Sequence, residues 1–128
     1  MDCPVCRDAM ITLELHDVEI DHCVGCGGIW LDAGELELLL GDSDLAASLL
    51  ATFRKQDHPK EALRKCPICL KKMSKTGVGP ADAPVIIDAC ARHHGLWFDH
   101  GELDDILVHA NLDDQNKIRR LLADMFGK

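Results

Sequence analysis

"CVGCGGIWLD" (residues 23–32) and "CARHHGLWFD" (residues 90–99) decide how this chain is read. Both open on a cysteine and close on Gly-x-Trp-x-Asp. Laid in register, Cys26 becomes His93 and Gly27 becomes His94. The second stretch reads as the first one rebuilt, with an imidazole in place of one thiol.

Working outward, the likeness continues on both sides. Cys3, Pro4, Cys6 and Met10 recur 63 residues later as Cys66, Pro67, Cys69 and Met73. Cys23, Trp30, Asp32 and Glu35 recur 67 residues later as Cys90, Trp97, Asp99 and Glu102. The chain is a tandem duplication, and its second copy has four additional residues between Met73 and Ile87. "TGVGPADAP" (residues 76–84) has the composition of an extended loop tip. The expected division is 1–57 for the first ribbon with its helices and 64–128 for the second. Residues 58–63 form a linker in which Pro59 discourages a continuous helix.

Each copy predicts the same order of elements. A Cys-Pro-x-Cys turn comes first. Ile11, Leu13 and Leu15 then alternate with polar residues, His16-Asp17 can turn, and Val18 and Ile20 alternate again, which is a hairpin. The second cysteine turn follows. Asp32 then reads as an N-cap, Glu35 completes a capping box, and Leu31 can staple onto Leu36. Asp99, Glu102, Phe98 and Leu103 repeat that helix start. Leu45, Leu49, Leu50 and Phe53 predict a second helix in copy one. Ile118, Leu121, Leu122 and Met125 predict its counterpart over Asp113 to Phe126. The Leu-rich faces are expected to pack on each other or on a second chain, the latter giving a homodimer through them. The fold class is small, metal-stabilised α+β: tandem ribbons, each a hairpin with two metal turns, followed by a short helical hairpin.

Cysteine and histidine at this spacing point to a tetrahedral metal, most simply Zn2+. Cys3-x2-Cys6 with Cys23-x2-Cys26 supplies one set of four. Cys66-x2-Cys69 with Cys90-x2-His93 supplies the other, so two zinc ions per chain are expected. His93 keeps the spacing, and His94, on a wider turn, is the competing ligand. Four thiolates also suit iron. Seven cysteines cannot all pair as disulfides within one chain, and a reducing, cytoplasmic compartment fits them better. Thiol redox chemistry lacks its usual βαβ setting.

Charge narrows the partners. The formal net charge is −8, and residues 1–58 carry 3 basic and 12 acidic side chains against 11 and 10 in residues 59–128. That balance argues against wrapping nucleic acid with the whole chain. "RKCPICLKKMSK" (residues 64–75) gathers Arg64, Lys65, Lys71, Lys72 and Lys75 into a candidate contact patch beside the second site. Trp30 and Trp97 are expected to cover the metal turn and helix start rather than to anchor a partner.

The run "CPVC…EIDHCVGCGGIWLDAGELELLL" resembles the transcription-factor-IIB-type zinc-ribbon family over residues 3–40, through Asp21, Cys23, Cys26, Gly28, Trp30, Asp32, Gly34, Glu35 and Leu36. The second copy is similar over residues 66–103 and departs at His93, His94 and the longer hairpin. The resemblance implies one zinc ion per copy. Four protein ligands per ion leave no place for a reactive water, so no catalytic residues are assigned. The expected function is that of a non-catalytic zinc protein, a protein-interaction adaptor on transcription or translation machinery. Nucleic-acid binding by the basic second ribbon and zinc storage or delivery are the alternatives.

Overall fold

The computed structural model describes residues 1–15, 17–41, 43–56, 62–80 and 82–109. The expected linker therefore lies largely outside the described residues, and the second helix of copy two lies wholly outside them.

In copy one the alternation of Ile11, Leu13 and Leu15 forms β1 (Ile11–Leu15) and that of Val18 and Ile20 forms β2 (Val18–His22). They pair antiparallel with Leu13 opposite Ile20. The loop between them has two residues, and Asp17 takes φ 65°, as so short a hairpin loop requires. The second metal turn then leads into β3 (Ile29–Asp32), α1 (Glu35–Leu40), α2 (Ser43–Leu50) and a short β4 (Arg54–Lys55). Copy two repeats the pattern with β5 (Ser74–Val78), β6 (Val85–Ala89), β7 (Gly95–Phe98) and α3 (Glu102–His109). Thr76 pairs with Ile87, so the four extra residues fall in the loop between Val78 and Val85.

The two ribbons share one sheet. β3 pairs antiparallel with β7, giving the order β1-β2-β3-β7-β6-β5-β4 across seven strands. Trp30 stands opposite Trp97, its own counterpart in the repeat. A pseudo-twofold axis therefore passes between the two indoles and exchanges the copies.

The faces of this sheet differ. One carries the helices: Leu36 and Leu39 of α1, Leu49 of α2, and Leu103, Ile106 and Leu107 of α3 bury against Ile20, Ile29, Leu31, Val78, Ile87 and Phe98. The apolar faces of α1, α2 and α3 are thus buried on the sheet, and α1 and α2 also pack on each other as expected. Each such side chain contributes roughly 1.5–3 kcal/mol on full burial. α2 reaches past its own copy. Gly79 N–H donates to Thr52 Oγ1 at 2.9 Å just after α2, and β4 pairs with β5. The opposite face holds both tryptophans with Met73 and the buried cysteines of both copies.

The helix starts differ from the capping box expected of Asp32 and Asp99. Half of the box forms: Asp32 N–H donates to Glu35 Oε1 at 2.6 Å and Asp99 N–H to Glu102 Oε1 at 2.7 Å. The aspartate carboxylates accept instead from the indoles, Trp30 Nε1 to Asp32 at 2.8 Å and Trp97 Nε1 to Asp99 at 3.0 Å. A buried indole N–H without a partner would cost more than an uncapped helix end exposed to water. α1 accordingly begins only at Glu35, after Gly34 at φ 89°.

Candidate metal centres

The turns come from short-range backbone bonding. Arg7 N–H donates to Cys3 O at 2.9 Å, Gly27 N–H to Cys23 O at 2.8 Å and Leu70 N–H to Cys66 O at 2.8 Å. Each closes a loop over four residues and leaves its donor in the left-handed region, at φ 66°, 79° and 62°. Inside the loops, N–H groups turn toward the first sulfur. Val5 N and Cys6 N lie 3.3 and 3.2 Å from Cys3 Sγ, and Ile68 N lies 3.4 Å from Cys66 Sγ. Such donors stabilise a thiolate.

These turns gather two sets of four donors. The first is Cys3, Cys6, Cys23 and Cys26, and the second is Cys66, Cys69, Cys90 and His94; within each, all ligand atoms lie within 4.8 Å of one another. The hairpin brings the two turns of each set together. Around tetrahedral zinc, with bonds of about 2.3 Å to sulfur and about 2.0–2.1 Å to nitrogen, sulfurs stand about 3.8 Å apart and sulfur–nitrogen pairs about 3.6 Å. Cys3 Sγ and Cys26 Sγ are 3.7 Å apart, Cys69 Sγ and Cys90 Sγ 3.8 Å, and Cys90 Sγ and His94 Nδ1 3.5 Å. With Cys66 Sγ and His94 Nδ1 at 3.9 Å, these four edges come within about 0.3 Å of a zinc tetrahedron, and three thiolates with one imidazole form a structural zinc set. The two centres bind two zinc ions per chain.

The second centre corrects the ligand expected from spacing: His94, not His93, faces the cysteines. The fourth turn is tighter than the other three. His93 N–H donates to Cys90 O at 3.0 Å, closing over three residues rather than four. The left-handed residue therefore comes one place early, and His93 occupies it at φ 62°. The loop still closes at the same length, Cys90 N–H to Gly95 O at 3.1 Å against Cys23 N–H to Gly28 O at 3.1 Å. An imidazole places its nitrogen one bond farther from Cα than a thiol places its sulfur. The ligand position has shifted by one residue within an unchanged loop, and His93 lines an apolar groove beside the centre.

Without an ion, the thiols of the two centres differ in how readily they ionise. Burial first, then neighbouring sulfurs, push the Cys26 thiol up to about 12 and the Cys66 thiol up to about 11. The Lys71 N–H, outweighing burial, brings Cys69 down to about 6. His22 supports the first centre: its Nδ1 lies 3.1 Å from the Gly28 carbonyl oxygen, so that nitrogen carries the proton. Burial lowers the His22 pKa. Nothing in the pattern announces this residue, because its counterpart is Ala89.

The two centres meet through the tryptophans. A side chain at Gly28 would run into the Trp97 indole, and one at Gly95 into the Trp30 indole and the Leu31 carbonyl. Each copy's Gly-x-Trp thus leaves room beside its metal loop for the other copy's ring.

The candidate contact patch changes. Lys75 is only 4 % exposed, with its Nζ 2.7 Å from Asp88 Oδ1, itself in a side chain 1 % exposed. Arg64 pairs with Asp99 and approaches Asp88 at 3.7 Å. These two cations are held by buried or half-buried carboxylates and leave the patch. Lys65, Lys71 and Lys72 remain exposed. Among the described residues no helix is long and apolar enough to cross a membrane.

A family model described as a transcription factor zinc-finger, the TFIIB-type zinc ribbon, matches residues 2–41 and again residues 65–109, well over half of the chain. No curated protein and no solved structure gives a match.

Proposed function

The chain belongs to the TFIIB-type zinc-ribbon family, and we propose that it works as a non-catalytic adaptor whose zinc ions hold a protein-binding surface in shape. The observation that carries this reading is the closure of both centres by four protein donors. A closed centre has no position for water or substrate, so its chemistry is spent on folding. Structural zinc can contribute on the order of 10–16 kcal/mol to a small module. The acidic residues 1–58 favour a basic partner surface. Affinity capture with the zinc-loaded full chain tests it, with a Cys66→Ser, Cys69→Ser variant as control. Specific capture by the loaded wild type alone supports the reading. Absence of any specific partner removes it.

Three exposed lysines, Lys65, Lys71 and Lys72, favour a second reading, nucleic-acid binding at the second ribbon. Its support is thinner because both tryptophans are buried and unable to stack on bases. Salt-dependent binding lost on charge reversal at Lys71 and Lys72 would favour it.

A further inference from the structure

The two edges of the sheet are unlike. At one, the chain covers itself: Arg54 pairs opposite Gly77 and Lys55 opposite Thr76, and Gln56 N–H donates to the Lys75 carbonyl at 2.8 Å. At the other, β1 has no strand on its outer side among the described residues. Ile11–Leu15 contains no lysine or proline, the usual guards of an edge, and Ile11 is 44 % exposed.

The repeat translates the covered edge onto the open one. Lys75, Thr76 and Gly77 correspond to Thr12, Leu13 and Glu14. The acceptor equivalent to the Lys75 carbonyl is the Thr12 carbonyl. The slot equivalent to that of Arg54 faces Glu14.

That slot is electrostatically unfinished. Glu14 stands directly opposite Glu19 in the hairpin, both exposed, with Asp17 at the tip. Like charges opposite each other across two strands oppose the pairing. A cation placed at the edge beside Glu14 would relieve both.

We propose that the open edge of β1 takes an extended cationic segment of a partner protein as an added antiparallel strand, with a Lys or Arg side chain opposite Glu14. Main-chain hydrogen bonds supply affinity, and alternate side chains supply specificity. Residues on one side of the added strand meet Glu14 and Glu19. Those on the other lie beside Leu13, on the face that carries the helices. The proposal rests on the adaptor reading and names its partner chemistry.

The test uses the zinc-loaded full chain and a peptide of its own residues 51–56, Ala-Thr-Phe-Arg-Lys-Gln, which contains the strand that covers the opposite edge. Amide hydrogen exchange is followed residue by residue. The expected result is new protection within residues 11–15, weakened by salt. Joint substitution of Glu14→Lys and Glu19→Lys is expected to lower affinity about tenfold or more at an unchanged zinc content. Protection elsewhere, or none, overturns the proposal, as does indifference to the charge reversal. So does protection of the outward Thr12 and Glu14 amides already present in the free monomer, with the edge closed by residues 110–128, or protection that grows with protein concentration, with the edge closed by a second copy. Capture from lysate separates the two levels. A partner held equally by wild type and the charge-reversed variant sinks the edge proposal and leaves the adaptor reading. No partner for the wild type sinks the adaptor reading itself.

Discussion

His93 and His94 are adjacent, and a single backbone angle assigns their roles. His93 takes the left-handed position at φ 62° that closes the turn, and His94 is the one whose ring nitrogen stands among the three sulfurs. His94→Ala is expected to leave one zinc per chain by elemental analysis, and His93→Ala to leave two. His93→Gly should raise stability by up to about 1 kcal/mol, since glycine adopts the left-handed region without steric cost, visible as a higher denaturation midpoint. Gly28 offers a second test. A methyl there overlaps the Trp97 indole, so Gly28→Ala should cost about 3 kcal/mol or more through overpacking in a closed core. Gly34→Ala, at φ 89° with open space around it, should cost only about 1 kcal/mol. Equal losses for the two would show that steric contact with the indole is not what Gly28 avoids.

Among the elements, the start of α3 carries a titration. Burial first, then the charges of Asp99 and Asp88, push the Glu102 carboxyl from 4.5 up to about 7, although the Asp99 N–H opposes the shift. Between those values the folded chain holds a proton that the unfolded chain has lost, so stability falls as pH rises through the window. Glu102→Gln keeps an acceptor for the Asp99 N–H and loses the charge. It should gain on wild type by about 1 kcal/mol between pH 5.5 and 8, a figure reduced for partial solvent exposure. Denaturant midpoints at the two pH values, with zinc saturating, measure it; a variant that tracks wild type at both would contradict the shift. The hairpins and the existence of α1, α2 and α3 were legible in their alternation and apolar spacing. The first helical residue was not. Asp32 is a good cap by type, but the indole beside it competes for the same oxygen, and that competition exists only once Trp30 is buried.

For the whole molecule, the exchanged tryptophans make the two zinc centres neighbours in one core. Loss of the ion from one centre loosens the loop against which the other copy's indole packs. A variant with Cys66→Ser and Cys69→Ser should therefore bind zinc at the first centre about tenfold more weakly, or worse, in chelator competition. A change below about twofold would mean that the centres are thermodynamically separate. In the intact chain, unfolding followed by tryptophan fluorescence should show one transition that coincides with release of both ions.

The chain's own order of residues determined the duplication, the two ribbons, the hairpins and seven of the eight ligands, because each follows from spacing within a few residues or from a pattern repeated in register. What it left open depended on atoms that meet only after folding. The choice of His94 followed from a tighter turn that changes no loop length. Burial of Lys75 required Asp88 to be brought beneath it, and the pairing of Arg64 required Asp99 beside it. The union of the ribbons into one sheet, with each tryptophan seated over the other copy's glycine, required β3 and β7 to meet across more than sixty residues of chain. No local preference specifies such a pairing; it is selected by the apolar surface that both strands bury when they come together.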